Sequence, residues 1–168
     1  MKYLHIVRLL GAVLLTLTSF GIAGAQATTT DVKATLIFLT PGQGGRSFID
    51  PAGHVHTLDN SYTGIVTGDL EGQFTLVSSS VIKDGNGPFN GQITITTAEG
   101  TYEGRFAGKS TGGCNTAHLV AHGTGDLVGQ TLRLSVEELS NPDYPPAPSC
   151  TGESPFYSLV GTMLNAQG

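Results

Sequence analysis

The sequence predicts an all-β protein built as a closed antiparallel eight-stranded barrel, with a β-sandwich as the alternative. From Thr28 to Gly168 no segment keeps a helical apolar period, whereas period-two alternation recurs about every ten residues with turn residues between. Connections between these segments are generally too short for crossover helices, so neighbours in sequence should pair antiparallel. Glycine, at 24 of 168 residues, recurs inside the strand candidates, as sharp coiling requires. No strand carries the proline or charge clusters that blunt a free edge, which favours closure. A closed ring of eight strands encloses an interior that side chains can fill or that can hold one small ligand.

The first residues read as an export signal. Lys2 and Arg8 form a basic start, Leu9 to Phe20 is an apolar run, and Ala23-Gly24-Ala25 offers small residues for cleavage. The run is too short to span a membrane comfortably. The expected organisation is therefore a signal peptide over 1–25 and a single β-barrel domain over 26–168, secreted or periplasmic, with no membrane association after cleavage.

Ala34 to Thr40 is the first strand candidate, with Leu36 and Phe38 facing one way, Ile37 and Leu39 the other, and both faces covered. Pro41 to Gly45 makes a loop, since proline fixes φ and glycine admits positive φ. A polar stretch from Arg46 to Asn60 follows, with a short strand expected over Gly53 to Leu58. Ser61 to Gly72 alternates, and its recurring glycines let the sheet bend or another side chain cross it. Gln73 to Lys83 and Pro88 to Thr97 flank Asp84-Gly85-Asn86-Gly87 as a hairpin, with Phe89, Ile93 and Ile95 on one face. Thr101 to Lys109 sets Tyr102 and Phe106 against Glu103, Arg105 and Lys109. Ala117 to Gly125 and Leu127 to Glu138 come next, the latter with Leu132, Leu134 and Val136 inward. Ser140 to Pro155 holds five prolines, too many for a sheet, and Phe156 to Leu164 closes by pairing near the beginning.

Composition and charge narrow the function classes. Only 12% of residues are charged, and loss of Lys2 and Arg8 would take the formal charge from -5 to -7. That field repels phosphate backbones and anionic membranes, so nucleic acid is not an expected partner. Cys114 and Cys150 are the only two cysteines, and an even count in an exported chain reads as one disulfide. A bond between them would close a loop worth about 3.8 kcal/mol in the chain-entropy model. There is no Cys-x-x-Cys and no finger-like histidine spacing.

His54-Val55-His56 is the sharpest local feature, because residues two apart on a strand point the same way about 6.6 Å apart. Two imidazoles need a third ligand to hold a metal, from Asp50, Asp59, or one of His118 and His122. Those last two lie about 13 Å apart along a strand and cannot both join one site. Surface histidines in a polar loop are the commoner explanation of such a pattern, and no metal or cofactor is expected. For acid–base chemistry in a cavity the candidates are Tyr62, Asp69, Glu71, Tyr102, Glu103 and Arg105. Glu103 and Arg105 share a face: outward they make an exterior ion pair, inward a buried couple with shifted pKa values. Asp69, after Gly68, suits a bulge or a bond to a backbone amide. No nucleophile elbow is present, and Gly123-Thr124-Gly125 lacks the helix and last glycine of a dinucleotide fingerprint.

Tyr62-Thr63-Gly64, Thr67-Gly68-Asp69-Leu70 and Gly100-Thr101-Tyr102-Glu103-Gly104 with Gly108 carry a resemblance. The chain from Ser61 to Glu138 resembles allene oxide cyclases and the related dirigent proteins, whose strands carry Gly-Asp-Leu and Gly-x-aromatic-Glu-Gly. The resemblance implies a calycin-like eight-stranded barrel around a hydrophobic cavity, frequently in dimers or trimers. It also implies non-redox cyclase chemistry, although the cyclases' catalytic polar residues have no matching positions here. Three functions follow as expectations: a secreted binding protein for a small hydrophobic ligand, a cofactor-free cyclase or isomerase, or a filled barrel acting as a structural or homo-oligomeric interaction protein. A cavity with an apolar lining would favour the first, converging polar groups the second, and no cavity the third.

Overall fold

The computed structural model describes residues 27–139 and 155–166. The expected signal peptide, Cys150 and most of the proline-rich connection lie outside the described residues. Among the described residues every regular element is a strand: β1 Thr28–Phe38, β2 Arg46–Ile49, β3 Val55–Gly68, β4 Gly72–Ile82, β5 Gly87–Thr96, β6 Gly100–Thr111, β7 Cys114–Gly125, β8 Gln130–Glu138 and β9 Phe156–Asn165.

All nine belong to one antiparallel sheet in the order β1-β9-β8-β7-β6-β5-β4-β3-β2, and a further β1–β3 pairing closes it into a ring. β1 performs the closure by facing two partners at once, with Leu36 opposite Val66 on β3 and Tyr157 on β9. β2 lies outside the ring and pairs with β3 alone.

Period-two alternation decides what faces inward. Leu132, Leu134, Ile93, Ile95, Tyr102 and Phe106 are buried, while Glu103, Arg105, Lys109, Arg133 and Glu137 between them are exposed. The core is one continuous cluster to which all the ring strands contribute, from Val32 on β1 to Leu159 on β9. Apolar burial of this extent is the main stabilising term at about 25 cal/mol per Å².

The inward glycines have a specific use. Gly64 is paired with Phe74, Gly91 with Phe106 and Gly108 with Phe89. A methyl group added at these three glycines would lie 2.6, 2.6 and 2.7 Å from the paired ring, so the absent side chain is the space each phenylalanine occupies.

Several element expectations are corrected. β1 begins at Thr28, six residues early, and its two faces are not both covered, since Leu39 just beyond it is 64% exposed. The segment expected as Ser61 to Gly72 is the end of one strand starting at Val55, with a bulge between Thr57 and Asn60 where Asp59 takes φ 56°. β7 begins at Cys114 and β8 only at Gln130, because Leu127–Gly129 form a turn that folds Leu127 into the core. β2 was not anticipated: all four of its residues are exposed, so it carries no burial alternation.

Candidate functional site

Core side chains fill the ring at one end and leave it hollow at the other. At the filled end Phe74, Ile95, Leu132, Leu159 and Val66 are fully buried. Tyr102 belongs to this end: it is 3% exposed, and its hydroxyl donates to Oε1 of Gln130 and lies 3.4 Å from Sδ of Met163. Burial, followed by the nearby Glu99 charge, pushes its phenol up from the ordinary value.

The opposite end holds a cavity of about 760 Å³, within the size range of small-molecule sites. Leu36, Leu76, Ile93, Phe106 and Leu119 supply apolar walls, and Pro41, Gly85, Gly113 and Pro155 come from the connections at this end of the strands. Ser78, Ser80, Ser110, Asn115, Tyr62 and Tyr157 add polar atoms to the lining. Ser110 is buried and spends its hydroxyl on the carbonyl of Gly85 at 2.9 Å.

Phe38 organises this wall. Its ring centroid lies 5.6 Å from Tyr62, 5.0 Å from Phe74 and 5.2 Å from Tyr157, the first two edge-on. Each tyrosine then meets an asparagine. Asn60 Nδ2 donates to the hydroxyl of Tyr62 at 3.1 Å, and Asn115 Nδ2 donates to that of Tyr157 at 3.2 Å. Asn115 is held in turn by its backbone N–H, which donates to Oε2 of Glu138 at 3.1 Å. Burial pushes the Tyr157 phenol up to about 12, against the hydrogen bond from Asn115, with the nearby Glu138 and Tyr62 adding to the rise.

The acid–base candidates are scattered. Tyr62 lines the cavity, and Tyr102 is packed at the filled end. Glu71 is exposed in the turn between β3 and β4. Glu103 and Arg105 are exposed on the outer face of β6, paired across strands with His122 and Val120, and make no ion pair with each other. Asp69 bonds a backbone amide: its Oδ2 accepts from Lys33 N–H at 2.8 Å and its own N–H donates to Lys33 O at 3.0 Å, locking β3 to β1. Tyr157, Asn115 and Glu138 were not singled out from sequence. Alternation through Leu159 puts Tyr157 on the inner face, which was a usable signal; the placing of Asn115 beside it was not readable.

His54 and His56 meet Asp50 beside the β2–β3 hairpin. Asp50 Oδ2 lies 2.9 Å from His54 Nδ1 and 3.1 Å from His56 Nε2, and the ring of Phe48 stacks on His56 at 4.6 Å. The hydrogen bond from His56, then the backbone N–H of His54, hold the Asp50 carboxyl well below the usual carboxylate range. Of the other ligand candidates, Asp59 is turned out at the bulge and His118 and His122 point outward from β7. Among the described residues no group of three His, Cys, Asp or Glu is arranged to hold a metal ion. Cys114 opens β7, half-buried, and its expected partner lies outside the described residues. The chain matches no family model, no curated protein and no solved structure.

Proposed function

We propose that the chain is an exported binding protein whose ring of strands is a barrel of the allene oxide cyclase-like and dirigent-like type, and that it holds a small hydrophobic molecule. The observation that carries this reading is the uneven filling of the ring, packed solid at one end and hollow over about 760 Å³ at the other. An open-ended pocket of this size matches the volumes in which proteins hold small molecules. Leu, Ile, Phe and Val form the largest group in its walls, beside serines, threonines, tyrosines and Asn115, which suits an apolar guest with a polar group, and among the described residues no Lys, Arg or His lines it. The cavity weighs against the filled structural barrel. The outer faces of the strands remain available for homo-oligomerisation.

A cofactor-free cyclase or isomerase is the second reading, favoured by Tyr62, Tyr157 and Asn115 on one wall. Such an enzyme would work by holding a flexible substrate in a reactive conformer.

Two measurements on the full-length secreted protein test the first reading. Solvent extracts of natively purified protein, examined by mass spectrometry, should release a small apolar molecule. The hydrocarbon fluorophore diphenylhexatriene should bind the emptied protein with saturable emission. An empty extract together with no saturable binding would overturn the reading.

A further inference from the structure

We infer that the cavity selects a molecule with an apolar body and one neutral hydrogen-bond-accepting oxygen, such as a ketone, ester or ether, received by the hydroxyl groups of Tyr62 and Tyr157. The inference rests on the binding reading above and names the class of ligand.

A phenolic hydroxyl has one hydrogen to donate and lone pairs to accept. In both tyrosines an asparagine amide supplies the accepted bond, Asn60 to Tyr62 at 3.1 Å and Asn115 to Tyr157 at 3.2 Å. Neither phenol hydrogen has an acceptor among the described residues. Both side chains line the same cavity, and both pack on the same ring, Phe38, at 5.6 and 5.2 Å. Two phenol O–H donors therefore border a chamber whose other polar lining includes Ser78 and Ser80, and a guest without an acceptor would leave the phenols unpaired at a cost.

Charge decides which acceptor fits. A carboxylate would enter a space lined, among the described residues, by no Lys, Arg or His, near the Glu138 carboxylate that supports Asn115. A buried anion without a partner is strongly disfavoured. A neutral oxygen escapes that penalty and still satisfies the donors. Tyr157 keeps its hydrogen throughout the physiological range, its phenol being pushed up to about 12.

The test is displacement of diphenylhexatriene by three guests of equal chain length, 2-undecanone, undecane and undecanoate, on the full-length protein, on Tyr157→Phe, on Tyr62→Phe and on the double variant. Because diphenylhexatriene has no acceptor, its own affinity reports that each variant retains the cavity. Each single change should weaken 2-undecanone about three- to tenfold, the double change more, with undecane and diphenylhexatriene unmoved. In the unsubstituted protein undecanoate should bind less tightly than 2-undecanone. Unchanged ketone affinity in variants that still bind diphenylhexatriene would overturn the donor pair and leave the hydrophobic reading standing. Tighter binding of undecanoate than of 2-undecanone would overturn the neutral class. Failure of the unsubstituted protein to bind diphenylhexatriene at all would remove the binding reading itself.

Discussion

Phe74 lies across Gly64, its directly paired neighbour on the adjacent strand, so closely that a methyl group on Gly64 would sit 2.6 Å from the ring. The glycine is a seat for the ring, which is 1% exposed and in edge contact with Phe38. Changing Gly64 to alanine drives a methyl group against both the ring and the carbonyl of Ile37. Such overpacking costs about 1–3 kcal/mol. Urea denaturation should show that loss, whereas Thr67→Ala on the exposed face of the same strand should stay within about 0.5 kcal/mol.

Tyr157 makes stability fall in alkali. Its phenol is pushed from 10.0 up to about 12, so above pH 10 the folded chain still binds a proton that the unfolded chain has released. Stability from this group is intact below pH 10 and declines as pH climbs towards 12, by about 2–3 kcal/mol in all. Tyr157→Phe should flatten that decline relative to the unsubstituted protein. An equal loss of unfolding free energy between about pH 9 and about pH 11 in the unsubstituted protein and in Tyr157→Phe would contradict the burial of the hydroxyl.

Asp50 acts at the other end of the scale. Its carboxyl is depressed below the ordinary 3.8 by the bonds from His56 and His54, so its contribution is complete above pH 3.8 and is lost as the pH drops beneath it. Thermal melts between pH 2 and pH 5 should show a steeper acid limb in the unsubstituted protein than in Asp50→Asn. At neutral pH the asparagine variant should be the less stable, since it cannot accept from both imidazoles as a carboxylate does.

The pair Cys114 and Cys150 is testable by mass. Unreduced protein should weigh two hydrogens less than reduced protein, and Cys150→Ser should abolish the difference. Reduction should lower stability by up to about 3.8 kcal/mol, the loop-closure term of the chain-entropy model. An unreduced mass equal to the reduced one would refute the bond.

Much of the fold was legible because alternation is a local signal. Phe89, Ile93 and Ile95, or Leu132, Leu134 and Val136, reveal their faces within one strand, and Asp84 to Gly87 announce their turn by composition. β2 was illegible for the opposite reason, since it buries nothing and exists only through hydrogen bonds to β3. The bulge at Asp59 hid the first half of β3 by shifting the register between two parts of one strand.

The candidate site was harder to read. Tyr62 was named and lines the cavity, while Glu71, Glu103 and Arg105 have the right chemistry on the wrong surface. Tyr157 and Asn115 are 42 positions apart, and no periodicity links residues at that distance.

Sequence alone determined that the described body is made of antiparallel strands, and which side chains of most strands turn inward, because a pleated chain alternates every residue whatever it packs against. Tertiary structure decided that β1 bridges β3 and β9, that one end of the ring is packed and the other hollow, and that two tyrosines come to share the ring of Phe38. These outcomes depend on register between distant strands and on the volumes of side chains meeting across the ring. Neither quantity is a property of any single stretch of chain.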